Sequence, residues 1–276
     1  VGVYALESSY CVASGFPYGS LPGFQASSTV NNPAIKPEFV NSREAGVEIS
    51  LFNNRVNIEA TGYFQNNTNQ VLSLQISRTT GYSITVVNAA DFDNKGVELD
   101  LRLTPLVQLG DFNFDLKANV SFLDSKVKSV YLGLDELGIG NRNYIIKGYP
   151  AYMFKLTDYK KDDQGRVIVD RKTGYPSLDP TPKMFGRTMP TLIAGVSPTL
   201  SYKGLVLTLT ADYKGGHQVY HGIGADMDFT GSSARTGSNG RQRFIIANSV
   251  YDDGTGHYVP NTSIAVMNGG YGFYEN

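Results

Sequence analysis

Tryptophan is absent from this chain, cysteine occurs once, and neither sign of charge is in excess. In 276 residues, 24 Lys+Arg oppose 25 Asp+Glu, for a formal net charge of −1. So small an imbalance excludes a general nucleic-acid binder, which carries a strong basic excess. The lone Cys11 excludes a disulfide framework and a zinc cluster built on cysteines. No run of about 18 apolar residues occurs, which excludes a transmembrane helix and leaves a β-barrel open. Aromatic residues, by contrast, reach 12%, too many for a disordered chain. The chain begins Val1-Gly2-Val3, without Met and without the basic and apolar regions of a leader, so a processed chain or a portion of a longer one is expected.

What the sequence has in abundance is strict alternation. Phe112, Phe114, Leu116, Ala118, Val120 and Phe122 point one way, while Asn113, Asp115, Lys117, Asn119 and Ser121 point the other. Val97, Leu99, Leu101 and Leu103 oppose Glu98, Asp100 and Arg102, and Val56, Ile58, Ala60, Gly62 and Phe64 oppose Asn57, Glu59, Thr61 and Tyr63. Ala45–Leu51, Leu192–Tyr202 and Leu205–Tyr213 repeat the pattern. A period of two cannot lie on one helix face, so each stretch predicts a strand with one apolar and one polar side. Pro198 interrupts an apolar face and removes a ladder bond wherever it sits.

The connections alternate too. Phe52-Asn53-Asn54-Arg55, the segment Thr104 to Asp111 with Pro105 and Gly110, and Lys203-Gly204 join the strands pairwise into three hairpins. Between hairpins the predicted links are long: Gln65 to Lys95, Leu123 to Thr191, and everything after Lys214. Side by side, such hairpins place every short turn at one end, as in outer-membrane barrels. Aromatics near strand ends, among them Phe52, Phe122, Tyr202 and Tyr213, suit interfacial girdles. Alternation alone does not say which face is inside, so a soluble β-sandwich stands as the other reading. The charged polar face (Glu59, Glu98, Asp100, Arg102, Asp115, Lys117 and Asp212) asks for water or a polar plug, which implies part of a wide barrel.

Catalytic constellations fail one by one. His217 and His221 have helical metal spacing, but Gly215, Gly216, Gly222 and Gly224 around them argue against a helix. An EF-hand aligned on Gly165 would put Lys160 and Arg171 where carboxylates are required, so Asp162-Asp163-Gln164-Gly165 reads as a turn. Asp252-Asp253-Gly254 does as well. No nucleophile elbow, phosphate loop or complete dinucleotide fingerprint is present. The expectation is therefore no enzyme, no catalytic residue, no cofactor and no metal. Tyr131, Tyr144, Tyr149, Tyr152, Tyr159 and Tyr175 can stack on sugars or peptides or simply pack the loops, and no substrate-binding residue is assigned.

An ordered series of motifs carries a family resemblance. Asn32-Pro33-Ala34-Ile35-Lys36-Pro37-Glu38 followed by Glu44-Ala45-Gly46-Val47-Glu48 resembles a stretch of TonB-dependent outer-membrane transporter barrels. Asn94-Lys95-Gly96-Val97-Glu98 resembles the SusC/RagA-like branch, and Gly186-Arg187-Thr188-Met189-Pro190, Asp212-Tyr213-Lys214-Gly215-Gly216 and Val259-Pro260-Asn261-Thr262 agree with it. The resemblance implies an all-β fold, an antiparallel transmembrane β-barrel in the outer membrane, of which this chain is a late fragment without the plug domain. Residues 1–276 would form part of one barrel domain, with extracellular loops near 65–95, 123–191 and 214–276. It further implies import of oligosaccharides or oligopeptides, energised by the TonB complex through the plug. The implied partners are a SusD/RagB-like surface lipoprotein and the lipid of the outer membrane. A siderophore- or cobalamin-type receptor of the same fold, and a soluble all-β carbohydrate-binding or adhesion module, are the rival readings.

Overall fold

A computed structural model describes residue 7 and residues 9–266, apart from 238, 239 and 241. The ends Val1-Gly2-Val3 and Tyr274-Glu275-Asn276, and the last ten positions of the 214–276 segment, lie outside the described residues. The chain divides into two compact units, 1–154 with 185–218, and 155–184 with 219–276.

The first unit is dominated by one antiparallel sheet. After the small pair β1 (Tyr10–Val12) and β2 (Phe24–Ala26) and the short β3 (Thr29–Val30), the chain enters β4 (Phe39–Leu51), β5 (Val56–Gln75), β6 (Ile84–Leu109) and β7 (Phe112–Val130). Each pairs with the next in a meander. β8 (Glu136–Gly140), β9 (Asn143–Ile146) and the start of β10 (Met153–Tyr159) form a small sheet that follows β7. Later in the chain β13 (Leu192–Tyr202) pairs along β7 and carries β14 (Leu205–Thr208) and β15 (Ala211–Gly215) on its other edge.

The second unit holds β11 (Val167–Ile168), most of β12 (Leu178–Arg187), the helix α1 (Gly224–Thr230), β16 (Ser249–Asp252) and β17 (Tyr258–Pro260). Here β11 runs parallel to β16, which pairs antiparallel with β17. Val169, Val250 and Val266 are its buried apolar residues, and the amide of Asn261 ties Ser249 Oγ (3.1 Å) to the carbonyl of Ile264 (2.9 Å).

Three tight turns close the hairpins at one end of the large sheet. Phe52, Asn53 and Asn54 all take left-handed backbone angles, as do Lys203 and Gly204, and Gly110-Asp111 alone separates β6 from β7. The expected link from Thr104 is thus mostly strand. Pro105 falls where the register against β7 slips between Leu103 and Val107, a bulge that accommodates a residue with no N–H.

Pairing also runs on at the other end. β5 and β6 stay paired out to Gln75 and Ile84, so 76–83 connect them where Gln65–Lys95 was expected to be link. The single strand expected over Leu205–Tyr213 is divided at Leu209-Thr210, opposite Pro198. Leu209 donates its N–H to the Pro198 carbonyl at 3.1 Å, and Pro198 has no N–H to return.

The buried core lies beyond the regular wall, among Leu74, Val87, Ala89, Ala90, Phe92, Val127, Val130 and Ile145. It is at this far end, not on the alternating stretches, that side chains leave solvent.

Candidate functional site

The register converts six alternating stretches into two continuous faces. One carries successive cross-strand rows Leu51–Val56–Leu103–Leu116–Pro198, Ile49–Ile58–Leu101–Ala118–Val196–Ala211 and Val47–Ala60–Leu99–Val120–Ala194–Tyr213. Above them stands Ala45–Gly62–Val97–Phe122–Leu192. Every member is apolar or aromatic, yet Val47 is 54% exposed, Val97 53% and Phe122 55%. A soluble chain does not leave an apolar band of this extent open to water. On β7 the band runs from Phe112 to Phe122. At about 3.3 Å per residue and a tilt of about 40°, such a stretch rises about 25 Å, the height of a barrel's lipid-facing belt.

The opposite face is polar and charged. Its rows read Gly46–Thr61–Glu98–Ser121–Ile193–Lys214, Glu48–Glu59–Asp100–Asn119–Gly195–Asp212 and Ser50–Asn57–Arg102–Lys117–Ser197. Three carboxylates stand directly side by side in the middle row, and among the described residues none has an ion-pair partner. Like charges so placed repel one another, and unpaired ones cannot be enclosed in a dry interior. This face belongs to water or to a polar partner.

The residues of the family motifs acquire physical roles. Asn88 accepts from the Lys36 N–H at 2.8 Å and donates to the carbonyls of Lys36 and Asn69, both at 2.8 Å. Glu38 accepts from the Val71 N–H (2.5 Å) and the Gln70 amide (2.6 Å), so the Lys36-Pro37-Glu38 segment is pinned to the upper part of the β5–β6 hairpin. In Asn94-Lys95-Gly96-Val97-Glu98, Lys95 pairs with Asp124 at 3.6 Å, Gly96 lies beneath the Tyr63 ring, Val97 belongs to the apolar face and Glu98 to the polar one. Arg187 also bonds Asp124, at 3.0 Å, and Thr188 Oγ1 donates to the Tyr152 carbonyl at 3.0 Å, which ties a later segment to the top of β7. On the polar side a recess of about 240 Å³ opens there, lined by Tyr63, Gln65, Asn94, Tyr152 and Arg187.

His217 and His221 lie outside any helix, since α1 begins at Gly224. No cluster of three or more metal-ligating side chains occurs among the described residues. Asp162 closes its own turn: Oδ1 accepts from the Gln164 and Arg166 N–H groups, and Oδ2 from the Arg166 guanidinium at 2.7 Å. That guanidinium, with the two backbone N–H groups, holds the Asp162 carboxyl below its ordinary range. Asp253 is similarly lowered by the Thr255 hydroxyl and N–H in the Asp252-Asp253-Gly254 turn. Of the loop tyrosines, Tyr149 is exposed, and Tyr131, Tyr144, Tyr152, Tyr159 and Tyr175 are half-buried.

Comparison with known proteins places these faces in context. Residues 9–258 match the family model described as the TonB dependent receptor-like β-barrel. The chain is 28% identical to TonB-dependent receptor P26 of Formosa agariphila, over 69% of this chain and 22% of that protein. It is 21% identical to TonB-dependent receptor SusC of Bacteroides thetaiotaomicron, over 91% of this chain and 25% of that one. Among solved structures, the RagAB peptide transporter superposes with a TM-score of 0.62 at 22% identity, covering 78% of this chain and 25% of the other. The chain thus spans about a quarter of the length of these relatives.

Proposed function

Given that the chain belongs to the TonB-dependent receptor β-barrel family of the outer membrane, we propose that it forms part of the wall of a transporter importing oligosaccharides or oligopeptides. The observation that carries this is the two-faced sheet, with an uncovered apolar band on one side and unpaired Glu48, Glu59 and Asp100 in one row on the other. The first suits lipid, the second an aqueous or plugged passage. Members of this family are receptors and transporters, so the activity is gated passage and no bond is made or broken.

The resemblance of Asn94-Lys95-Gly96-Val97-Glu98 to the SusC/RagA-like branch, together with similarity to SusC and to a structure described as a peptide transporter, favours a large nutrient over a siderophore or cobalamin. On the same grounds the partners are a SusD/RagB-like surface lipoprotein at the long-loop end and the TonB complex, acting through a plug domain. The tyrosine-bearing segments 123–191 and 214–266 are extracellular in this reading and face the lipoprotein and the ligand.

The test is purification of the full-length protein from outer membranes in neutral detergent, with mass spectrometry of whatever accompanies it. A stoichiometric surface lipoprotein and a bound glycan or peptide are expected. A lone barrel carrying an iron chelate or a corrinoid contradicts the proposal.

A further inference from the structure

The apolar band ends abruptly along one row. Two residues above Ala45, Gly62, Val97 and Phe122 on the same face stand Arg43, Phe64, Lys95 and Asp124, again directly opposite one another across four strands. This is the boundary at the long-loop end, which in an outer-membrane barrel is the level of the outer-leaflet headgroups. Between the two rows lies a groove of about 950 Å³. Its floor is formed by the small residues Ala45 and Gly62, where a Cβ added to Gly62 would meet no atom within 4 Å. Phe64 and Phe122, 42% and 55% exposed, stand beside it.

Charge along the upper row is unbalanced. Arg43 has no ion-pair or hydrogen-bond partner among the described residues. Lys95 has only Asp124, at 3.6 Å, and that carboxylate is already held by Arg187 at 3.0 Å. Lys95 and Arg187 therefore share one carboxylate, and Arg43, at the edge of the same apolar groove, has none. The aliphatic surface alone selects nothing in a bilayer, because lipid tails are equally apolar everywhere. Selection comes from the headgroup, and a guanidinium and an ammonium at the interface fit phosphate oxygens.

We propose that this groove is a lipid site, holding an acyl chain of a phosphate-bearing outer-leaflet lipid over Ala45 and Gly62 while Arg43 and Lys95 bind its phosphate. The site rests on the apolar face being the lipid face. Lys95 releases part of its hold on Asp124 to the phosphate, and Arg187 keeps the carboxylate satisfied.

Native mass spectrometry of the full-length transporter, titrated with bisphosphorylated lipid A or the same lipid after dephosphorylation, tests this. The unaltered protein should retain the phosphorylated form about tenfold more strongly. R43Q/K95Q should remove that preference, whereas Gly62→Leu, which fills the groove with another apolar side chain, should lower retention of both forms. Equal retention of the two lipids by the unaltered protein overturns the proposal, with no variant needed. Undiminished phosphate preference in a folded R43Q/K95Q protein also overturns it. Spin-label accessibility along Val97–Leu103 separates the two levels: if its alternation holds while headgroup preference is absent, the lipid face stands and the site falls.

Discussion

The ring of Tyr63 lies over Gly96 of the neighbouring strand so closely that a Cβ on Gly96 would come within 2.6 Å of the phenol oxygen. Tyr63 and Gly96 are direct cross-strand partners, and glycine is the one residue that leaves space for the ring. Gly96→Ala should therefore destabilise the barrel by about 1–3 kcal/mol, the usual cost of overpacking. The Tyr63→Ala, Gly96→Ala double variant should be more stable than the sum of the single effects predicts. The temperature of the heat-induced mobility shift in gels reads this directly, and strict additivity would refute the packing argument.

Leu101 and Leu116 sit within the apolar face, in rows bounded on both sides by other strands. Replacing either with Arg places a charge near the bilayer midplane and should cost about 2–4 kcal/mol. Folded protein in outer membranes should fall sharply for each. Arg at Asn119, on the polar face beside Asp100, should be tolerated. Outer-membrane levels that do not distinguish the two faces would refute the orientation.

The clamp formed by Asn88 and Glu38 gives a third test. Asn88→Leu keeps the shape but strips three hydrogen bonds from the backbone of Lys36 and Asn69, at a cost of about 1–3 kcal/mol for the groups left unsatisfied. The loss should be local. Amide exchange should accelerate over residues 32–40 and leave Val97–Leu103 unchanged. Equal acceleration in both segments would mean that Asn88 supports the wall itself.

A pH dependence follows from Asp162. Its folded-state carboxyl is lowered by Arg166, so the stabilisation is fully present above the ordinary carboxylate value of about 3.9 and is lost as pH falls through the lower folded value. Exchange protection of the Gln164 and Arg166 amides should hold from neutrality to about pH 4 and decline only below it. Asp162→Asn should remove that acid transition and reduce protection at neutral pH. An acid transition that persists in the variant would assign it elsewhere.

The parts of the wall legible in the sequence are those with two different solvents on their two faces. From Ala45 to Leu51, Val97 to Leu103 and Phe112 to Phe122, lipid on one side and water on the other enforce a period of two, and the ladder pairs these stretches throughout. The pattern stops at the row Arg43–Phe64–Lys95–Asp124, and strands read from alternation stop with it. Backbone pairing does not depend on that contrast, so β5, β6 and β7 continue to Gln75, Ile84 and Val130 through sequence without a clear period. The parallel pairing of Val167 with Ser249 was out of reach for another reason, since nothing local specifies a partner so distant in the chain. The motif Asn94-Lys95-Gly96-Val97-Glu98 was legible only as a resemblance. Its physical content lies in Tyr63 and Asp124 on two other strands.

Consecutive residues of one strand meet lipid and water in turn. After Cys11 and every other native cysteine of the full-length protein are replaced by Ser, single cysteines placed in turn at Val97 through Leu103 can be spin-labelled in outer membranes. Collision rates with oxygen, which concentrates in the bilayer, and with a water-soluble paramagnetic reagent should then be measured. Positions 97, 99, 101 and 103 should favour oxygen, 98, 100 and 102 should favour the aqueous reagent, and the two curves should be out of phase by one residue. Curves without a period of two, or with the aqueous maxima at the odd positions, would contradict this assignment.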